Sequence, residues 1–436
     1  MFVLLYLLTY LTRLFVVVLK LFGRNGTALP GLWVERYMPS LIKYYAKQYK
    51  KVILITGTNG KTTTQHALAS ILRDAKIPFV SNASGSNMLR GIAATLLLAG
   101  PQRSRKAVFL CEVEEGTMPR LTKQVRADII VITNLYRDQL DAYGELHTTA
   151  RYINEACKQS AHAKLVVNGD DPQLVSLVKD LTHHLITYGV ATEHRKTFAY
   201  EGESQDSKKH VQATRIQINQ DLTSFIEVDD CIESKNTLHT QIKFQPPGIY
   251  NVYNALAAYT VGRILDIEPA RLAASIQTVN PPFGRGEKIQ VLTQGHVVTF
   301  HLFLVKNPAG FGQVWQLVQR VPDARLIVGL NDQVADGRDV SWIWDIDLER
   351  YYDQTATIKS LLFTGRRALD MALRYKYAEI TSFDTTIETD IEKAIDRVIS
   401  ASKESVQYTL LVTYTAMNHV RDVLSEYSPI TSYSST

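Results

Sequence analysis

The residues from Ile55 to Thr64 read ITGTNGKTTT. Gly57, Thr58, Asn59 and Gly60 make a flexible turn whose backbone N–H groups can point at phosphate oxygens, and a helix behind them adds a favourable dipole. Lys61 can reach the outer phosphates of a nucleotide, the Thr62 hydroxyl can ligate Mg²⁺, and Thr63 completes a G-x-x-G-K-T-T spacing. The common phosphate loop has a glycine where this chain has Ile55, and Gly57 comes two residues late. A nucleotide loop is expected all the same, because a strand, this spacing and a helix coincide. The alternative is an ordinary glycine turn.

Mg²⁺ needs a further hard oxygen, best supplied from the end of a neighbouring strand. FLCEVEEGT offers Glu112, Glu114 and Glu115; Glu112 is the expected ligand because it directly follows an apolar run. TNLYRDQLDAYGE follows another apolar run and puts Asn134, Arg137, Asp138, Gln139 and Asp141 at the same carboxyl edge, where open α/β sheets bind ligands. Each alone reads as a loop-stabilising polar group, and together they are site candidates.

The elements that must position these residues alternate in type. KVILIT, AVFLCEV, DIIVITN and KLVVNGD read as strands, and TTTQHALASILRDA as an amphipathic helix with Leu68, Ile71 and Leu72 on one face. Thr192 to Val211 is polar and weakly patterned and reads as a surface excursion, followed by a β-rich segment. PPGIYNVYNALAAYTVGRIL restores a helix, and NPPFGRGE is the best domain boundary. Beyond it VVTFHLFLV, RLIVGL, IKSLLFTG and YTLLVT predict a second α/β unit. A chain of 436 residues suggests two or three domains. Its +5 charge, from 48 basic and 43 acidic residues, is too diffuse to argue for nucleic acid. Cys111, Cys157 and Cys231 are too few for a four-cysteine zinc site and fit a reducing compartment.

Residues 1–22 are nearly all apolar, interrupted by Arg13 and Lys20. A helix lying at a membrane surface is expected; a spanning anchor, or packing against protein, are the alternatives. Thr27 to Gly31 then punctuates the chain.

TGTNGKTTT, TNLYRDQLDAYGE, NGDDP, YNVYNALAAYT and FGRGE occur in the order found in the Mur ligases, ATP-dependent enzymes that join carboxylates to amines in peptidoglycan assembly, and the chain resembles that family. LVKNPAGFGQV, LNDQVADGRDVSWIWDID and FTGRRALDMALRY resemble its MurT branch, the synthetase subunits of lipid II isoglutaminyl synthase. The resemblance covers roughly residues 27 to 425. It implies a central P-loop-containing ATPase domain with a parallel sheet and a C-terminal Rossmann-like α/β domain. The expected organisation is a hydrophobic helix and linker over 1–30, the ATP-binding domain over 31–282 with a polar insertion at about 190–245, and the C-terminal domain over 283–436.

The same resemblance implies amidation of the α-carboxylate of D-glutamate in lipid II to D-isoglutamine, through an acyl phosphate attacked by ammonia. It assigns Lys61 and Thr62 to phosphate and Mg²⁺, Glu112 to the metal, Asn254 to adenine and Arg285 to nucleotide phosphate. Asp339 would supply the orienting carboxylate of a GatD-like glutaminase, with which the chain would form a heterodimer. ATP and Mg²⁺ are the implied cofactors, lipid II the substrate, and the bacterial cytoplasm at the inner face of the membrane the location. Asp336, Asp345 and Asp347 lie near enough to Asp339 to compete for its role.

The chain departs from the family in three places. A four-cysteine zinc ribbon inserted in the central domain is not expected because only Cys231 lies in that inserted region, Gln139 replaces a histidine, and FLVKNP lacks the acid that many ligases place near the ribose. Two other readings are a ligase using a free amino acid, of Mur or folylpolyglutamate type, and a non-catalytic scaffold subunit.

Overall fold

The computed structural model describes residues 7, 10–14, 28–82, 87–100, 106–136, 146–195, 209–219, 222–232, 236–281, 283–318, 321, 323–349, 358–380 and 384–428. The run KVILIT is apolar because the strand it forms, β1 (Lys51–Thr56), is covered on both faces. Val52 and Leu54 point into one core cluster, Ile53 and Ile55 into another. This alternation is the period-2 geometry of a strand buried between two helical layers.

Around β1 lie β2 (Phe79–Ser81), β3 (Val108–Glu112), β4 (Ile129–Ile132), β5 (Lys164–Asn168), β6 (His184–Val190), β7 (Val211–Ile218), β8 (Ser224–Asp230) and β9 (Leu238–Phe244). Their order in the sheet is β2-β3-β1-β4-β5-β6-β7-β8-β9. Pairing is parallel from β2 to β7 and antiparallel from β7 to β9. The helix Lys61–Asp74 buries Leu68, Ile71 and Leu72 on this sheet, as the spacing predicts.

The second sheet has the order β10-β11-β15-β12-β13-β14, built from β10 (Arg285–Thr293), β11 (His296–Leu304), β12 (Ala324–Gly329), β13 (Ile358–Thr364), β14 (Asp384–Ile387) and β15 (Val406–Val412). All its pairings are parallel except the β10–β11 hairpin, whose two-residue turn places Gln294 and Gly295 at positive φ. Each sheet is therefore mixed, with parallel strands dominant and an antiparallel edge. The α/β expectation of mostly parallel sheets holds.

Two local expectations change. Thr27–Gly31 does not break the chain, because a helix runs through Ala28–Tyr37. Pro30 is tolerated in its first turn, where the N–H has no helical partner to lose. Gly31 is needed because a Cβ there would fall 1.6 Å from the Arg90 carbonyl oxygen of the helix Leu89–Ala99. Nor is Thr192–Val211 surface throughout: Arg195 and Lys209 are buried and both reach Asp170, at 3.0 and 3.2 Å, so distant counter-charge draws them inside. The intervening residues 196–208 lie outside the described residues.

At the N-terminus residues 10–14 are helical, and the guanidinium of Arg13 donates to the carbonyls of Leu98 at 2.9 and 2.7 Å and Ala99 at 3.3 Å. This turn packs against protein, and the charge that would be costly inside a bilayer caps a helix C-terminus instead. Most of residues 1–22 lie outside the described residues. Among the described residues no helix is long and apolar enough to cross a membrane.

The edge strands β7–β9 carry no metal-binding cysteine set and are tied to the body by Arg263, whose Nε lies 2.6 Å from Asp230 Oδ2 with both side chains buried. Tyr259 donates its hydroxyl to the same oxygen at 3.2 Å. Arg263→Ala leaves a buried carboxylate without its counter-charge, so it is expected to destabilise the protein by about 3–5 kcal/mol. A fall in the urea unfolding midpoint measures this; an unchanged midpoint refutes it.

Candidate active site

The candidate nucleotide loop follows β1 and lies beside the end of β4. Ile55 is fully buried and pairs with Glu112 of β3 and Val131 of β4, so the strand runs on through the position where the common motif has glycine. The turn starts at Gly57, with φ 118°, and closes at Gly60, with φ 87°, the N-cap of the helix Lys61–Asp74. A Cβ on Gly57 would strike Thr133 Oγ1 at 2.3 Å; one on Gly60 would strike Asn254 Oδ1 at 2.1 Å.

Asn134 holds this turn in shape. Its Oδ1 accepts from Asn59 N at 2.8 Å, its Nδ2 donates to Asn59 O at 2.9 Å, and its carbonyl accepts from Thr58 N at 3.1 Å. Thr58 Oγ1 donates to Tyr136 O at 3.1 Å and accepts from Tyr136 N at 3.0 Å. Asn134 thus belongs to the site, as a brace. Arg137, Asp138, Gln139 and Asp141 lie outside the described residues.

At the helix start the Lys61 ammonium donates to Gly57 O at 2.6 Å, to Thr58 O at 3.2 Å and to Glu115 Oε1 at 2.8 Å. Thr62 Oγ1 donates to Glu112 Oε2 at 2.9 Å. Glu112 is itself held through its backbone, with Asn82 bridging its N–H at 2.9 Å and its carbonyl at 2.8 Å. The three acids of the EVEE run therefore separate. Glu112 meets the hydroxyl, buried Glu115 meets the ammonium, and Glu114 starts the short 3₁₀ turn Glu115–Thr117.

An open cleft lies on the other side of the turn, lined by Gly60, Thr63, Tyr250, Asn254, Arg285 and Lys306, among others. Tyr250 and Asn254 come from the helix Ile249–Ile264 of the first sheet, Arg285 and Lys306 from the ends of β10 and β11. Burial raises the Tyr250 phenol pKa, and the neighbouring Arg285 cation works against that rise. Asn254 is fixed by donating to Asn251 Oδ1 at 2.8 Å. Asn307 caps the helix Pro308–Val318 by accepting from Gly310 N at 2.7 Å, which brings Gln313 of that helix to the cleft.

A glycine turn into a helix, a lysine, a hydroxyl–carboxylate pair and a cleft lined from both sheets are the parts that a nucleotide site requires. Two family models match the chain, the Mur ligase middle domain over residues 55–262 and the MurT ligase C-terminal domain over residues 304–417. The chain is 30% identical over 394 residues to the lipid II isoglutaminyl synthase (glutamine-hydrolyzing) subunit MurT of Staphylococcus aureus strain COL, covering 85% of this chain and 87% of that one. The chain belongs to the MurT family of Mur ligases. The MurT subunit of Streptococcus pneumoniae strain R6 is 28% identical over 437 residues, covering 94% of each. Among solved structures, the MurF ligase of Thermotoga maritima in complex with ADP shares the fold at a TM-score of 0.64 and 16% identity, covering 89% of this chain and 82% of that one.

The MurT-type C-terminal unit holds Asp339 in the loop after β12. Its Oδ1 accepts from Ser341 N at 2.8 Å, a turn cap, and the Ser341 amide and hydroxyl hold the carboxyl below its usual range. Asp336 is different: it is buried and accepts from Thr415 N at 2.7 Å, Thr415 Oγ1 at 2.5 Å and Gln333 N at 3.1 Å. Asp345 and Asp347 are exposed.

Sequence reasoning offered Glu115 only as one of three acids without its lysine partner, and missed Tyr250, Lys306 and Gln313. A signal existed for Lys306, since FLVKNP ends a strand and its Asn-Pro opens a helix; none singled out Glu115 from Glu114. Gly60→Ala forces a side chain into both a left-handed backbone and the Asn254 amide. It is expected to weaken ATP binding at least about tenfold. Titration calorimetry against wild type measures this, and equal affinity would refute the close-approach argument.

Proposed function

We propose that this chain is the synthetase subunit of a lipid II isoglutaminyl synthase, amidating the α-carboxylate of D-glutamate in the stem peptide to D-isoglutamine. The observation that carries the reading is similarity to MurT subunits along both sheets, from the phosphate loop through the Asp339 loop. ATP transfers its γ-phosphoryl group to the carboxylate, giving ADP and an acyl phosphate. Ammonia attacks the acyl carbon, phosphate leaves with the C–O electron pair, and a proton lost from nitrogen completes the amide.

Lys61 exchanges its contacts with the loop carbonyls and Glu115 for the nucleotide's outer phosphates. Thr62 and Glu112 fit a hard cation that takes one or two protein oxygens and fills its remaining positions with phosphate and water, the usual manner of Mg²⁺. No group of three acidic, histidine or cysteine side chains placed to hold a metal occurs among the described residues, which suits a cation brought in by the nucleotide. Mg²⁺ bound there supplies neutralisation of charge building on the transferred group. Asn254 meets the adenine and Arg285 the phosphates, in keeping with their places at the cleft.

In this reading residues 31–282 handle the nucleotide and residues 283–436 dock a GatD-like glutaminase as a heterodimer. Asp339 orients the partner's histidine during glutamine hydrolysis, a role that suits a surface carboxylate held ionised. Exposed apolar side chains nearby support a docking face. Leu369, Leu373 and Tyr377 recur every fourth residue along the helix Ala368–Tyr377, and Tyr377 meets the exposed Trp344 ring edge-on at 5.6 Å. Residues 1–22 keep the enzyme at the inner face of the cytoplasmic membrane, beside its lipid-linked substrate.

The reading is tested with detergent-solubilised lipid II, ATP and either ammonium or glutamine plus the glutaminase. Wild type is expected to convert acid to amide with both nitrogen sources, and Lys61→Ala with neither. Glu112→Gln lowers turnover at limiting Mg²⁺ by about a hundredfold, with partial recovery as Mg²⁺ is raised. Asp339→Asn spares ammonium-driven turnover and loses glutamine-driven turnover by about a thousandfold or more. Ligation of a free amino acid would move the chain to the ordinary ligases; absence of ATP binding would leave a scaffold.

A further inference from the structure

The chain's positive charge is not spread evenly. Residues 1–50 contain Arg13, Lys20, Arg24, Arg36, Lys43, Lys47 and Lys50 against one acid, Glu35, a net +6. The whole chain carries +5, so everything after residue 50 is close to neutral.

The same stretch exposes large apolar side chains. The helix Ala28–Tyr37 buries Gly31 and Val34 against the helix Leu89–Ala99 and turns Leu32, Trp33 and Tyr37 outward, at 45%, 61% and 61% exposed. Trp33 and Tyr37 lie ring to ring at 5.4 Å, and the Arg36 guanidinium sits 5.7 Å over Tyr37. Lys43 and Lys47, four residues apart on the next helix, Ser40–Ala46, and at its C-cap, are exposed. The Arg13 turn hangs from the far end of the same supporting helix and leaves Leu7, Tyr10, Leu11 and Leu14 more than half exposed.

We infer that Leu32, Trp33 and Tyr37, flanked by Arg36, Lys43 and Lys47, form a docking face on the folded body for an anionic lipid bilayer. Tryptophan and tyrosine favour the headgroup level, where an apolar ring body and a polar edge are both satisfied. Lysines beside them are drawn to anionic headgroups. A protein partner fits less well, because interface cores are depleted in lysine. A second copy fits worse, since it would set the exposed Arg36, Lys43 and Lys47 of one chain against those of another. Arg13 fixes the apolar N-terminal turn to the same helix, Leu89–Ala99, against which the aromatic face is packed.

The inference rests on the membrane contact proposed above for residues 1–22 and places a second determinant outside them. The test is flotation of the full-length protein with phosphatidylcholine vesicles, with and without phosphatidylglycerol, at low and high salt. Wild type is expected to float with anionic vesicles and to release in high salt. Trp33→Ser with Tyr37→Ser is expected to weaken binding about tenfold or more on anionic vesicles. Lys43→Glu with Lys47→Glu is expected to weaken it more than about twentyfold on anionic vesicles and to change nothing on neutral ones. These side chains are exposed, so ATP binding and amidation in detergent stay at wild-type levels, which separates a failure here from a failure of the reaction.

Loss of flotation in Leu7→Ser with Leu11→Ser, but not in the Trp33–Tyr37 variant, would overturn this inference and leave the contact with residues 1–22. Failure of wild type to float would overturn both. A change in sedimentation mass without vesicles, or loss of glutaminase binding in the Trp33–Tyr37 variant, would reassign the face to a second copy or to the partner.

Discussion

The site depends on one short turn, which must leave a fully buried strand, turn its amides outward and enter a helix within the four residues from Gly57 to Gly60. Both glycines sit at left-handed φ, and both face atoms that leave no room for a Cβ. Their positions are therefore set by what lies alongside: Thr133 and Asn134 at the end of β4, and Asn254 on the helix across the turn. That accounts for Ile55. A glycine two residues earlier would remove a core side chain from β1 without making the turn easier.

The turn is braced from further away by a pair of adjacent acids with separate tasks. Asp171 accepts from Leu135 N at 2.8 Å, next to the asparagine that grips the turn, while capping the helix Pro172–Val178 through Gln173 and Leu174. Burial pushes its carboxyl up to about 6, against the pull of those three amides. Asp170 accepts from Val190 N at 2.6 Å and from Tyr253 at 3.0 Å and pairs with Arg195 and Lys209. Buried ion groups of this kind are weak sources of net stability, because desolvation offsets attraction. Their value here is geometric: β5, β6, the start of β7 and the Ile249–Ile264 helix converge on one carboxylate, and that helix carries Asn254 to the cleft.

Much of this was legible in the sequence because it depends on local pattern. The apolar runs became strands, and the helix after the turn buries the face its spacing marks. What stayed hidden depends on partners far away in the chain. Lys209 and Arg195 lie in a polar stretch that reads as solvated until Asp170 is placed beneath it. Glu112 stands out by following the apolar run of β3, but Glu114 and Glu115 are equivalent as letters, and Lys61 tells them apart only in three dimensions. The short strands β2 and β14 and the hairpin strand β10 carry too little pattern to stand out, and Gly31 looks like a chain break until Arg90 is packed against it.

The second sheet repeats the division of labour among acids. Asp336 spends its oxygens on Thr415 and Gln333, tying the loop after β12 to the start of the helix Tyr414–Tyr427. That helix packs on the second sheet through Met417, Val420 and Leu424, so the loop inherits the rigidity of the core. Asp339, three residues on, accepts from the turn residue Ser341 and is only partly buried. The role proposed for Asp339 toward a partner's histidine needs both properties, a fixed backbone and a head that stays accessible to that partner. A buried acid such as Asp336 could not serve: its oxygens are already committed, and withdrawing them would release the loop that holds Asp339 in place.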